Sequence, residues 1–265
     1  MHPNGRYVAF SVNHNPVIFN AVHDHLRETV DTLSDLILYD AETNKISNCK
    51  AIASKERLET YPSWSPDGRY LYFCSADAKD FTSSKYQQIR YDILRIAFDA
   101  DNHQFGTVDT VVSSSSINLS ASFPRISPDG KYLLFCESRY GNFSIWHSES
   151  DLYLKNLDTG EISKPDINSD QSESYHTWSS TGRWIVFSSR RTDGLFTRPY
   201  FAYFDATGKA HKPFLLPQKN PEFYDTFLKS YNVPELVTSM VLLNPRDFSE
   251  IVKSEPINAS FESNK

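Results

Sequence analysis

A polar turn followed by an apolar strand recurs along the chain. The copies are "HPNGRYVAF" (residues 2–10), "SWSPDGRYLYF" (63–73), "RISPDGKYLLF" (125–135) and "TWSSTGRWIVF" (177–187). Each copy has a glycine in the turn and a phenylalanine five positions after that glycine. A phrase matched at so many positions indicates a tandem repeat, and the elements of one repeat therefore predict the whole fold.

Each repeat begins with two predicted strands joined by a tight turn. The letters "SPDG" suit a β-turn, because proline presets the second position and glycine closes the fourth. In the strand that follows, Leu71 and Phe73 lie on one face while Tyr70 and Tyr72 lie on the other. Both faces are apolar, so we expect the sheet to be covered on both sides.

Two further strands complete each repeat. The third strand ends in an aspartate in every copy, at Asp40, Asp99, Asp158 and Asp205, and a more polar fourth strand follows. Tandem units of four antiparallel strands, apolar on both faces, predict an all-β fold, namely a β-propeller. A β-sandwich of a dozen or more strands is the alternative, but it does not need such a regular repeat.

The segment "YPSWSPDGRYLYFCS" resembles the WD-like repeat of the TolB-type β-propellers. Residues 62–75 match that repeat well, residues 124–138 match with Ile126 in place of tryptophan, and residues 176–189 match more loosely. With the strands after each phrase, the resemblance covers residues 3–217. It implies four four-stranded antiparallel blades, near residues 3–60, 61–120, 121–172 and 173–217.

The first copy lacks its innermost strand, and propellers of the family have six or so blades. We therefore expect the chain to be the C-terminal part of a longer protein. Residues 218–253 are predicted to form a helix-and-strand appendage. Its elements are a helix over 221–230, a strand over 236–243, and a second helix behind Asn244 and Pro245. Residues 254–265 are polar and are expected to be disordered.

Charge and composition exclude several classes of protein. The net charge of −6 is opposite to that of a typical nucleic-acid-binding domain. No apolar run approaches the roughly 18 residues that a membrane-spanning helix needs. Three cysteines without paired spacing do not make a disulfide framework. Cys74 and Cys136 share one repeat position with Ser11 and Ser188, which indicates packing of a small residue.

The sequence contains no recognisable catalytic motif. It has no G-x-S-x-G elbow, no H-E-x-x-H, no P-loop and no dinucleotide fingerprint. No cofactor is therefore predicted. Prolyl-oligopeptidase-type peptidases carry propellers with related repeats, so the propeller domain of a peptidase whose catalytic part lies outside this sequence is one alternative.

Four long loops are predicted to gather at one face of the propeller, at residues 12–34, 75–90, 137–150 and 189–198. Rigid scaffolds commonly carry their binding residues on such loops. Aromatic and arginine side chains, which are favoured at binding hot spots, occur there as Arg139, Tyr140, Trp146, Arg190, Arg191 and Phe196. The other interpretation is that these rings pack under their own loops and that the arginines pair with nearby acids.

Histidines in the same region offer a metal-binding alternative. His14, His23, His25 and His147 lie in the loops, and His176 begins an inner strand at the channel mouth. Oligogalacturonate lyases resemble this arrangement, with a metal held by histidines and a glutamine. A metal-dependent polysaccharide lyase or hydrolase is thus an alternative function, although loop histidines are commonly just solvated.

The leading hypothesis is a non-catalytic platform that binds a protein or glycan partner through the long-loop face. The resemblance implies a protein of the bacterial cell envelope, periplasmic or envelope-associated. Neither a nucleic-acid partner nor a membrane span within this chain is expected.

Overall fold

The computed structural model describes residues 1–15, 17–18, 28–78 and 86–263. In chain order the strands are β1 (Tyr7–His14), β2 (Val17–Ile18), β3 (Glu28–Thr29), β4 (Leu33–Asp40), β5 (Lys45–Asn48), β6 (Arg57–Trp64), β7 (Tyr70–Asp77), β8 (Asp92–Asp99), β9 (Gln104–Val112), β10 (Ser120–Ile126), β11 (Tyr132–Ser138), β12 (Asp151–Asn156), β13 (Ile162–Ser163), β14 (Glu173–Trp178), β15 (Trp184–Ser189), β16 (Arg198–Tyr203), β17 (Phe214–Leu215) and β18 (Ser260–Ser263). The helices are α1 (Ser114–Ile117), α2 (Phe223–Thr226) and α3 (Pro245–Lys253).

The strands of the described residues form four separate four-stranded sheets and one small ladder of β2 with β3. Three sheets take their strands in chain order, as β6-β7-β8-β9, β10-β11-β12-β13 and β14-β15-β16-β17, and all their pairings are antiparallel. Each repeated glycine turn of these three sheets joins the first strand to the second. The predicted four-stranded blades are therefore present as individual sheets.

The first sheet is built from a different set of strands, in the order β1-β4-β5-β18. Its first strand, β1, follows a glycine turn in the way that β7, β11 and β15 do. It thus begins with what is the second strand of the other sheets, as predicted. The outer position is filled by β18, which runs parallel to β5.

One phenylalanine of the repeated phrase is buried at each boundary between neighbouring sheets. Phe73, Phe135 and Phe187 are all 0% exposed. Phe73 packs with Leu36 of the first sheet, Phe135 packs with apolar residues of the second, and Phe187 packs with Leu134 of the third. Burial of such a side chain contributes about 1.5–3 kcal/mol, so each sheet is stabilised by the sheet before it.

The repeated turns are held by their own polar side chains. Ser65 Oγ donates to Asp67 Oδ1 at 2.6 Å, and Ser127 Oγ donates to Asp129 Oδ1 at 2.6 Å. Gly68 closes the first of these turns with φ of 72°, a left-handed value that glycine tolerates best. The two aspartates thus serve as turn residues, as the sequence indicated.

The C-terminal region differs from its prediction in three places. The helix expected over 221–230 is confined to α2, a single turn, and residues 236–243 contain no strand. The strand prediction was wrong there, because no strand of the described residues pairs with this apolar run. The expectation of disorder was wrong for Ser260–Ser263, which form β18. The second helix is confirmed as α3, with Asn244 as its N-cap and Pro245 in its first turn.

Alanine substitution at two equivalent turn glycines tests how the N-terminal residues pack. At Gly130 a Cβ atom would meet nothing within 4 Å, so only the left-handed backbone (φ of 75°) opposes alanine. We expect Gly130→Ala to lower the free energy of unfolding by about 1–2 kcal/mol. At Gly68 the Cβ would lie 2.5 Å from His2 Nε2, which is hydrogen-bonded to the Gly68 carbonyl. Gly68→Ala should therefore lower the free energy of unfolding by more than Gly130→Ala does.

Urea unfolding of the two variants beside the wild type measures this difference. An equal loss of unfolding free energy in the two variants would contradict the packing of the buried His2 against the second sheet.

Candidate functional site

The inner strands β6, β10 and β14 each contain an aromatic residue with a left-handed backbone. The φ angles are 52° at Tyr61, 55° at Phe123 and 49° at Tyr175. These three residues occupy equivalent positions of the repeat. The ladder register shifts around each of them, between Thr60 and Ser63, Ser122 and Arg125, and Ser174 and Thr177. A β-bulge of this kind re-aims a side chain out of the regular alternation.

This conformation is sterically unfavourable for an aromatic residue. Holding a residue in this left-handed backbone conformation costs about 1–3 kcal/mol, and strain of this kind is concentrated at functional sites. The rings that it positions lie in a row, with centroids 4.0 Å apart for Tyr61 and Phe123 and 5.3 Å apart for Phe123 and Tyr175. We call these three residues the aromatic row.

The aromatic row lines a cavity of about 470 Å³, which we call the channel pocket. Its other lining residues come from β1, from the inner strands, from the loop after β11 and from the C-terminal segment. They are Ala9, Phe10, Ser11, Pro62, Pro124, Arg125, Phe143, His176 and Val233. A concave, mostly apolar space with few polar groups is the usual form of a ligand-binding site.

Arg125 supplies the positive charge of the channel pocket. The side chain is half-buried, and burial lowers its pKa while the charge of Glu235 opposes that shift. Its Nη1 atom lies 3.4 Å from Ser63 Oγ, to which it donates. A guanidinium stays protonated in proteins, so the pocket presents a cation beside three aromatic rings.

The loop after β11 connects the channel pocket to the long-loop face. Phe143 of that loop lies against Tyr175, with ring centroids 6.2 Å apart. One residue of this long loop therefore contributes directly to the lining of the pocket.

The buried carboxylate of Asp31 joins the loops of three sheets. It accepts hydrogen bonds from Asn13 Nδ2 at 3.0 Å and from Tyr91 Oη at 3.3 Å, and also from Asn142 Nδ2. Burial raises the pKa of Asp31, and the three hydrogen bonds oppose that rise. Because its donors come from the first, second and third sheets, Asp31 fixes the loops above the pocket relative to one another.

Three of the predicted binding residues lie on the loop face and interact with nearby groups. The guanidinium of Arg190 lies 4.3 Å from the centroid of the Trp146 ring and donates to the Leu195 carbonyl at 2.6 Å. Arg139 Nε donates to Glu149 at 2.8 Å. The structure thus brings Trp146 and Arg190 together, and the role of these three residues in binding stays a prediction.

Tyr140 and Phe196 contribute mainly to the packing of the loops. Tyr140 is 7% exposed, and its ring centroid lies 4.7 Å from that of His147. Phe196 is half-buried, with the guanidinium of Arg198 5.1 Å from its ring. Their predicted role in binding stays a prediction.

Arg191 packs against three strands of the fourth sheet. Its Nη2 atom lies 2.9 Å from Glu173 Oε1, and its Nε atom donates to Ser189 Oγ at 2.9 Å. Its guanidinium also lies 4.6 Å from the centroid of the Tyr200 ring. Burial raises the pKa of Glu173, and the charge of Arg191 opposes that shift.

His176 is fully buried between the third and fourth sheets. Its Nε2 atom lies 3.0 Å from the Leu134 carbonyl, and its Nδ1 atom lies 3.7 Å from Cys136 Sγ. Burial lowers the pKa of His176 to about 3, with a further contribution from the charge of Arg125. The imidazole is therefore neutral at physiological pH, and its Nε2–H donates a hydrogen bond to the Leu134 carbonyl.

The other histidines of the metal alternative lie apart from His176 or outside the described residues. His147 is buried beside Tyr140, and His14 is exposed with Nδ1 2.6 Å from Thr32 Oγ1. His23 and His25 lie outside the described residues. The part of the chain that the structure describes contains no group of three or more His, Cys, Asp or Glu placed to hold a metal ion.

The aromatic row was missed in the sequence. The sequence does contain a pattern that could have predicted it. An aromatic residue stands at the same position of the repeat in "YPSW", "FPRI" and "YHTW". The alternation of a regular strand assigns that residue to a blade face, and only the bulge turns it toward the channel.

Comparison with solved structures bears on the fold. TolB from Acinetobacter baumannii matches 77% of this chain with 40% of its own, at 20% identity and a TM-score of 0.47. An oligogalacturonate lyase in complex with manganese matches 76% of this chain with 53% of its own, at 15% identity and a TM-score of 0.50. A puromycin-hydrolysing peptidase of Mycobacterium tuberculosis matches 80% of this chain with 30% of its own, at 13% identity and a TM-score of 0.47.

The chain has a β-propeller fold. The prediction made from the resemblance to TolB-type propellers is thus confirmed at the level of fold, which is all that identities this low show. The chain spans about half of the lyase and less than half of the other two proteins. No protein-family model and no curated protein sequence matches it. None of the helices in the described residues is long and apolar enough to cross a membrane.

Substitutions at Tyr61 test the strain in the aromatic row. Tyr61→Gly and Tyr61→Ala both remove the ring, but only glycine tolerates the left-handed backbone without strain. We expect the glycine variant to be more stable than the alanine variant by about 1 kcal/mol in urea unfolding. At Ser63, which is paired with Tyr72 in the ladder, the order should reverse, with Ser63→Gly less stable than Ser63→Ala. The same order at both positions would contradict a strained Tyr61.

The buried carboxyl group of Glu137, beneath the loop face, should make the stability of the protein depend on pH. Burial raises the pKa of Glu137 to about 7, and the charge of Asp151, its cross-strand neighbour, adds to the rise. The folded state therefore holds this proton more tightly than the unfolded chain, and stability falls as pH rises from about 4.5 to about 7.

Glu137→Gln should make this part of the profile less steep, so that the variant gains stability relative to the wild type at pH 8 but not at pH 4. The remaining slope includes Glu59, whose pKa burial also raises to about 7. Urea midpoints across this range measure the effect. A profile parallel to that of the wild type would contradict the raised pKa.

Proposed function

We propose that this protein is a non-catalytic binding platform, which takes an extended segment of a protein partner into the channel pocket from the long-loop face. The main support is the aromatic row. Three equivalent strands each hold an aromatic residue in a strained conformation, and three such costs at one place are characteristic of a functional site. The loops above are fixed by Asp31 and Arg191, which gives the entrance a defined shape.

The titratable groups of the pocket support binding rather than proton transfer. An efficient general acid or base has a pKa near the working pH. The pKa of His176 is lowered to about 3 by burial, whereas burial raises the pKa of Tyr61 and of Tyr175 above the usual tyrosine value. At neutral pH these three groups are uncharged, and each can contribute shape and hydrogen bonds.

The lining of the pocket defines the chemistry of the segment. Aromatic rings favour stacked or edge contacts with planar and apolar groups, and Arg125 favours a carboxylate through a charge-assisted hydrogen bond. We therefore expect a segment that carries an acidic side chain, or a C-terminal carboxylate, next to an aromatic residue or a proline. On the loop face, Trp146 and Arg190 extend the contact surface beyond the pocket.

The resemblance to TolB-type propellers supports a role at the bacterial envelope, with a periplasmic or envelope-associated location. The alternatives of a metal-dependent polysaccharide lyase or hydrolase and of a peptidase propeller stay predictions from the sequence, without a specific observation in their favour.

Selection from a phage-displayed library of random peptides on the immobilised protein would test the proposal. The selected peptide would then be measured by fluorescence anisotropy against variants. We expect Arg125→Gln and Phe123→Ala to weaken binding about tenfold or more, since each removes a buried contact with the peptide. We expect Trp146→Ala and Arg190→Ala to have smaller effects.

Arg69→Gln is the matched control. Arg69 lies in the repeated turn at the other end of the inner hairpin, with 78% of its side chain exposed, so its loss should leave affinity unchanged. Peptides that bind the Arg125→Gln and Phe123→Ala variants as well as the wild type would overturn the assignment of the pocket. Failure to select any peptide, together with binding to an array of oligosaccharides, would replace the protein partner with a glycan.

A further inference from the structure

Residues 231–237, with the sequence "YNVPELV", lead from the fourth sheet to the channel pocket, and we call them the pocket segment. Two hydrogen bonds hold its first residues at the fourth sheet. The Tyr231 N–H donates to the Thr197 carbonyl at 3.0 Å, and Ser188 Oγ donates to the Asn232 carbonyl at 3.3 Å. The pocket segment therefore starts from a defined place on the fourth sheet.

Arg198 anchors the chain just before the pocket segment. Its side chain is 1% exposed, and it donates to the carbonyls of Phe227 at 2.8 Å and Lys229 at 2.5 Å. Hydrogen bonds from a charged donor are stronger than those from a neutral one. This anchor should therefore hold whether or not the residues after it change position.

The remainder of the pocket segment is held loosely. Val233 lines the channel pocket but is 42% exposed, and Val237 is 65% exposed. Within the part of the chain that the structure describes, residues 233–243 make no hydrogen bond. By contrast, Ser122 and Ser174 of the inner strands are 0% exposed. A stretch with few buried contacts and no backbone hydrogen bonds opens at a low cost in free energy.

The sequence of this loosely held stretch has the chemistry that the channel pocket favours. The pocket combines apolar rings with the cation of Arg125. Val233, Pro234 and Glu235 offer an apolar side chain, a proline and a carboxylate in succession. Proline fixes its own φ angle, which lowers the entropy lost when a segment binds in one conformation.

Glu235 acts on Arg125 through its charge. The negative charge of Glu235 raises the pKa of Arg125, against the larger effect of burial. No carboxylate of the described residues forms an ion pair with Arg125, whose Nη1 atom donates to Ser63 Oγ at 3.4 Å. The guanidinium is therefore available to the carboxylate of a ligand, and the exposed Glu235 competes for the same charge.

We propose that the pocket segment is an internal competitor of the protein partner. Its Val-Pro-Glu sequence takes in the same chain the place that an apolar–proline–acidic motif of the partner takes on binding. The partner displaces residues 233–237, while the anchor at Arg198 keeps the preceding residues on the fourth sheet. This inference rests on the proposed function, because it assigns a ligand motif and a regulatory element to the same pocket.

An internal competitor has a measurable consequence for affinity. The apparent dissociation constant equals the intrinsic value divided by the fraction of molecules in which the pocket is open. A pocket that is open in about a tenth of the molecules binds its partner about tenfold more weakly than a pocket that is always open. Weakening the pocket segment should therefore tighten binding, whereas weakening a permanent wall of the site would loosen it.

A fluorescein-labelled peptide with the sequence of residues 229–238, "KSYNVPELVT", is the probe, and its binding is measured by fluorescence anisotropy. In the full chain, Val233→Ser combined with Glu235→Gln removes the apolar and charged contacts of the pocket segment without adding a charge. We expect this double variant to bind the peptide about tenfold more tightly than the wild type does. Adding Arg125→Gln to the double variant should reverse the gain.

Val241→Ser combined with Glu222→Gln is the matched control. It makes the same two changes at exposed positions that do not line the channel pocket, so the peptide should bind it as it binds the wild type. The urea midpoints of both double variants should equal that of the wild type, because all four side chains are exposed. A lowered midpoint in the Val233→Ser, Glu235→Gln protein alone would assign a structural role to the pocket segment and overturn the proposal.

The remaining outcomes separate this inference from the proposed function. Equal affinity of the wild type and the Val233→Ser, Glu235→Gln variant for the peptide, or a weaker affinity in that variant, would overturn the competitor. Absence of binding to the variant would overturn the motif. In each case the peptide selected from the library decides separately on the pocket, through its dependence on Arg125 and Phe123.

Discussion

The structure depends on the burial of one sheet's apolar face against the next. A single four-stranded sheet with two apolar faces cannot cover itself, so a repeat of this kind is stable only in a stack. The phenylalanine five positions after each turn glycine shows this directly. It is fully buried at Phe73, Phe135 and Phe187, each of which follows another sheet, and 39% exposed at Phe10, in the first sheet of the described residues.

Stacking also places the three inner strands side by side, and the candidate site arises there. The bulges in β6, β10 and β14 turn one ring per strand toward the same space, and a space of about 470 Å³ remains between them and the C-terminal segment. Such strain persists only where the surroundings over-determine it. Here the surroundings are the packed sheets below and the loops fixed by Asp31 above.

On the loop face, residue type alone predicts only part of the arrangement of the side chains. Aromatic and arginine residues were expected on the loops, and Trp146 and Arg190 do lie together there. The same criterion also selected Arg191 and Tyr140, whose partners are Glu173 and His147. Composition cannot separate the two groups, because the role of each side chain depends on which partner the folded chain places beside it.

The sequence by itself determined the turn, the strands around it and their grouping into blades, because a tight turn and the period of two residues in a strand are properties of neighbouring residues. It also determined α3, whose cap lies within three residues of Asn244. Only the tertiary structure decided that Tyr61 adopts a left-handed backbone, that His176 is buried and neutral, and that Tyr231 bonds to Thr197 beside the fourth sheet. These features depend on contacts between sheets that are remote in the chain, and no local pattern of residues contains them.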